Sequence, residues 1–168
     1  MRLIQATTAI AVVMTVYSHS GLAQGSTEAG LPNFVAGTYS LQEGTEEQCG
    51  TGDFELRDGG SNVAFGVYHG FDTSNKSEKI TADIPDYAGC VYDTKDSRLV
   101  EGERTKLIFE EKLVCKQGVR HTLTKTAVVT KDKVTIDVTQ KGNAEFKDEP
   151  TYGYRCVFTL DKPAKSKK

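Results

Sequence analysis

Apolar and polar residues alternate with a period of two along most of this chain, the pattern of half-buried β-strands. Val35, Gly37, Tyr39 and Leu41 alternate with Ala36, Thr38 and Ser40. Phe54 and Leu56 alternate with Asp53, Glu55 and Arg57. A turn at Asp58-Gly59-Gly60 leads to Val63, Phe65 and Val67, and His69 continues that inward set. A weaker stretch from Lys79 to Tyr92 is broken by Pro85. Regular alternation then returns in Leu107, Phe109 and Leu113; in Val119, Leu123, Ala127 and Val129; in Val134, Ile136 and Val138; and in Tyr152, Tyr154, Cys156, Phe158 and Leu160.

No segment repeats apolar residues at helical spacing over three turns. Eight or nine strands with short connections and no long crossover helix predict antiparallel pairing. A sheet that large curls or closes, because closure removes its exposed edges. The pattern therefore predicts an all-β, single antiparallel up-and-down β-barrel, with a β-sandwich as the alternative.

The first residues depart from this pattern. Arg2 precedes the nearly unbroken apolar run Ala9 to Val16, and Gly21 and Ala23 are small. That is the three-part layout of a secretory signal, and the run is too short for a membrane span, which takes about 20 apolar residues. The expected organisation is a signal peptide at 1–23, a Gly-rich leader at 24–33, the β domain at 34–161 and a basic tail at 162–168. The protein is expected to be secreted or periplasmic and monomeric.

The net charge is −2, and no basic stripe is interleaved with aromatics, so nucleic acid is not an expected partner. Cys49, Cys90, Cys115 and Cys156 form no C-x-x-C pair, which argues against zinc and redox motifs. An even count in an exported chain predicts two disulfides. Alternating strand directions place Cys90 and Cys115 at the sheet end that holds the 116–118 turn. Barrel closure would bring Cys49, after the first strand, to Cys156 on the last. The expected pairs are therefore 49–156 and 90–115.

The stretch "NFVAGTYSL", Asn33 to Leu41, resembles the first-strand opening of lipocalins, in which Gly-x-Trp follows an Asn-containing lead. Tyr39 stands in the Trp position. The resemblance implies a barrel with a ligand cavity at one mouth.

Register identifies the candidate site. The apolar sets of 105–115 and 119–129 face inward together if Cys115 lies opposite Val119, with Lys116, Gln117 and Gly118 as a three-residue loop. Leu113 then faces His121, Glu111 faces Leu123 and Phe109 faces Lys125. Glu111, His121 and Lys125 are thus polar residues on the face that should be dry, and His69 adds a fourth. They would form a core ion pair, lie in water at an open end, or orient a small polar or anionic ligand in a mostly apolar cavity. Tyr39, Tyr152 and Tyr154 would add hydroxyls.

The chain has no Gly-x-Ser-x-Gly elbow, no His-Glu-x-x-His and no phosphate-cradling glycine loop. The acidic stretch Tyr92 to Arg104 does not match a calcium loop and reads as a solvated loop. No enzyme activity, cofactor or metal is expected. Two functions fit: an exported small-molecule binding or carrier barrel, or a protein-interaction module, such as an inhibitor or envelope component, with a purely structural core.

Overall fold

The computed structural model describes residues 31, 34–50, 52–57, 62–66 and 69–163. The expected signal peptide, most of the leader and 164–168 lie outside the described residues.

The described chain is all-β and antiparallel. Its strands are β1 (Gly37–Glu43), β2 (Gly52–Arg57), β3 (Asn62–Phe65), β4 (His69–Asp72), β5 (Lys76–Thr81), β6 (Val91–Glu101), β7 (Arg104–Cys115), β8 (Gly118–Val129), β9 (Lys133–Gly142) and β10 (Tyr152–Pro163). They form one sheet in the order β4-β3-β2-β1-β10-β9-β8-β7-β6-β5. First and last strands are paired, and consecutive strands are hydrogen-bonded to each other at every step but one. The exception is β4 and β5, the two edges of the sheet, so no closed hydrogen-bonded ring is formed among the described residues. The sheet nevertheless curls far enough for β4 to approach β6 and β7.

Ten strands replace the expected eight or nine because 62–72 is two strands. Gly66, at φ 61°, adopts the left-handed backbone that the turn between β3 and β4 requires. His69 therefore lies on β4 rather than on the strand of Val63 and Phe65, yet it is still buried. The acidic stretch expected as a loop is mostly strand β6, ending in a two-residue turn before Arg104. Ladders on both sides, to β5 and β7, outweigh the poor strand preference of its aspartates. β10 runs to Pro163, two residues into the expected tail.

The β7–β8 register is as expected from Leu113↔His121 to Thr105↔Val129, but the hairpin end differs. Cys115 pairs with Gly118 around a two-residue turn, and a bulge follows, between Val114↔Val119 and Leu113↔His121. Gly118, at φ 125°, makes the tight turn possible. The bulge restores the inward phase at His121 and leaves Val119 exposed instead of inward.

Aromatic rings of the core cluster where β1, β2, β3, β4 and β10 meet. There Phe54 contacts Tyr39, Phe65 and Phe158 with ring centroids 4.5, 4.9 and 5.0 Å apart. Cys49, on the helical turn α1 (Glu46–Cys49), is bonded to Cys156, and Cys90 to Cys115, which are the two expected pairs. A second, smaller core of Ala82, Cys90 and Leu113, flanked by Tyr87 and Tyr92, surrounds the 90–115 bridge.

Candidate functional site

Six of the seven expected site residues fall into three separate groups; the seventh, Tyr152, is exposed, and its hydroxyl donates to Gln140 Oε1 at 3.1 Å. Tyr39 belongs to the dry core. Its hydroxyl donates to the Val35 carbonyl at 2.8 Å, and burial, followed by the charge of Asp132, pushes its pKa up to about 12. It pairs with Leu160 of β10, toward the 130–132 turn and away from His121.

Glu111 and His121 join a group at the opposite end, built around a residue the sequence reading missed. The 143–151 connection folds back over the ends of β8 and β9. Asn143 N–H donates to the Arg120 carbonyl (2.7 Å) and its side chain to the Val119 carbonyl (2.9 Å), while the Gly142 N–H donates to Thr151 Oγ1 at 3.0 Å. This brings in Glu149, whose side chain is only 2 % exposed. Its carboxylate meets Arg120 Nε at 2.8 Å and His121 Nδ1 at 2.8 Å, and His121 Nε2 stands 3.5 Å from Glu111 Oε1. Although burial alone would raise it, hydrogen bonds from Arg120 and His121 hold the Glu149 carboxyl below its ordinary value. The Arg120 guanidinium lies between two rings, 5.0 Å from the Tyr87 centroid and 4.9 Å from that of Phe146. Arg120 is the residue left unpaired by the bulge, which turns its side chain into this group. These contacts tie a connection to a sheet end, and every charge in them has a partner.

Lys125, His69 and Tyr154 form the third group. Lys125 is half-buried and forms no ion pair with a described residue, so the core pairing with Glu111 is not made. Its ammonium sits 5.4 Å from the Phe109 ring centroid instead. His69 is 2 % exposed, and both its ring nitrogens are buried without a hydrogen-bond partner among the described residues. The Gln48 carbonyl acts on the ring's charge but lies outside hydrogen-bond geometry. Burial first, and then the nearby Lys125 charge, push the His69 pKa down, so the ring is neutral at pH 7. A neutral imidazole has one donor and one acceptor, and each costs about 1–3 kcal/mol when buried unpaired. The Tyr154 ring centroid is 6.1 Å from that of His69, and burial raises the hydroxyl's pKa, which keeps it a neutral donor.

Comparison with known proteins finds no matching family model, no matching curated protein and no matching solved structure.

Proposed function

We propose that this protein is an exported small-molecule binding or carrier barrel, which holds an anionic group between Lys125, His69 and Tyr154. The observation that carries the reading is the His69–Lys125 pair: a buried imidazole with two hydrogen-bonding atoms unmet among the described residues, beside an ammonium with no carboxylate partner among them. Such a group lowers stability in the empty protein. Its arrangement suits a ligand that supplies negative charge to Lys125 and hydrogen-bonding atoms to His69 and Tyr154.

Reading the sheet as a barrel is supported by the β1–β10 pairing and by the approach of β4 to β6 and β7. Its one seam would lie between β4 and β5. Export is supported by two disulfides, which fit an oxidising compartment, and by the tripartite leader. No helix among the described residues is long and apolar enough to cross a membrane.

Native mass spectrometry of the protein purified from its source tests the reading. The expected result is an added mass of an acidic small molecule in the wild type and its loss in Lys125→Met. The same bare mass for both proteins would overturn it.

A further inference from the structure

The lipocalin resemblance implies a ligand entering at a barrel mouth. In this chain the end near His121 is tied down by the 143–151 connection, which buries the Glu149 side chain. An opening lies elsewhere, at the break between β4 and β5 in the strand ladder of the described residues. Along the free edge of β4, facing β6 and β7, runs a cleft of about 390 Å³, within the size range of small-molecule sites, about 300–1,000 Å³. Val63, Ala64, Phe71 and Phe109 supply its apolar wall, and Gly70 leaves it open because no side chain projects there. The charges at its rim are compensated: Asp72 pairs with Lys76 at 2.8 Å. Burial, followed by the Asp72 charge, pushes the carboxyl of Asp96 up toward its neutral form.

Phe109 connects this cleft to the interior polar group. It lines the cleft, and the Lys125 ammonium rests over its ring. Lys125, Phe109 and Asp96 are also directly opposite one another across β8, β7 and β6. A cation without a counter-ion among the described residues and an apolar trough are therefore separated by a single aromatic ring.

We infer that the seam between β4 and β5 is the apolar half of the binding site, and that the ligand is an amphipathic monocarboxylate. Its carboxylate pairs with Lys125, and its hydrocarbon part lies along Phe109 and Phe71 in the seam. This inference rests on the interior anion site proposed above, and it adds the chemical class and the direction in which the ligand lies.

The test is a calorimetric titration with hexanoate, octanoate and decanoate below their micelle concentrations, with octanol and octylamine as controls. Wild-type affinity should rise about two- to fourfold per added methylene, and octanoate should bind at least tenfold more tightly than either control. A Cβ at Gly70, which lines the cleft, meets no atom within 4 Å, so Gly70→Trp adds a ring at the cleft wall without a backbone clash, and Gly70→Ala adds only a methyl group. Gly70→Trp should abolish the chain-length gain while hexanoate affinity changes less than threefold; Gly70→Ala should behave as wild type. Lys125→Met should erase the preference for octanoate over octanol. Charge-dependent binding that ignores chain length, or that Gly70→Trp leaves unaltered, overturns the seam inference and leaves the interior anion site standing. Octylamine binding as well as octanoate, or a Lys125→Met variant indistinguishable from wild type, overturns both.

Discussion

The inward face of this sheet changes character along its strands, and the two halves are built for different purposes. One half is dry. Across β10, β9, β8 and β7 run Phe158–Val134–Val129–Thr105 and then Cys156–Ile136–Ala127–Leu107, and all eight residues are buried. The next row on the same face reads Tyr154–Val138–Lys125–Phe109, and beyond it lies Gln140–Leu123–Glu111. Half-buried and polar residues now alternate with apolar ones. The strands, twist and ladder are shared, so backbone structure cannot account for the difference. Side-chain choice alone turns one half into a packed core and the other into a mixed face. There Gln140 and Glu111 have internal partners, but the His69 ring and the Lys125 ammonium have no hydrogen bond or ion pair among the described residues.

That contrast predicts that the dry half and the Lys125–His69 group respond to substitution by very different amounts. The largest effect belongs to the bridge anchoring the dry half. Replacing Cys49 and Cys156 with Ala opens a link across 107 residues and should cost about 4–5 kcal/mol in the chain-entropy picture, read from denaturant midpoints. The 90–115 bridge spans 25 residues and should cost about 3–4 kcal/mol. Ile136→Ala, at a position with no exposure, should cost about 2–5 kcal/mol through the cavity it leaves. A loss below about 1 kcal/mol there would mean that the dry half is loosely packed and the contrast false.

Glu149→Ala comes next, at about 2–4 kcal/mol, because it strands a buried arrangement of donors. Its signature is local: hydrogen exchange should accelerate in 143–151 and not in β9 or β10. Lys125→Met should change stability by less than about 1 kcal/mol in either direction, since no ion pair is broken. A large loss that Glu111→Gln rescues would make the polar half a core ion pair after all.

The smallest effect is in the pH dependence. His69 has a lowered pKa in the folded state, so below 6.5 the unfolded chain takes up a proton that the folded chain refuses. Stability should therefore fall as pH drops through 6.5, and His69→Phe should flatten that slope in thermal melts. Glu149, whose folded pKa is also lowered, contributes its stability above 4.5 and loses it only as pH falls further, through its folded value. The two slopes are thus separable.

The period-two pattern made the long strands legible, because each carries apolar residues on one face only. The Leu113–His121 and Phe109–Lys125 pairings were readable for the same reason: a one-residue slip would have turned both apolar sets outward. β6 was not legible, because its inward residues include Thr94 and Asp96, which carry no hydrophobic signal. The Glu149 group was equally hidden. It depends on a bulge at Val119 and Arg120 and on a connection thirty residues later in the chain, and neither leaves a periodic trace. Phe146 and Glu149 on a polar connection were the available hint, since a ring and an acid that return to a sheet end need a cation there. His69 was legible as inward, but the lack of a partner for its nitrogens is a property of the folded arrangement alone.

The account stands or falls on those nitrogens, and the His69 imidazole can be observed directly by nitrogen-15 NMR while octanoate is added. An anion held between Lys125 and His69 favours the charged ring. The account therefore predicts perturbed ring nitrogen shifts for His69, a titration midpoint displaced upward on saturation, and neither change in Lys125→Met. Octanoate that leaves the shifts and midpoint of His69 where they stand in the free protein would contradict it.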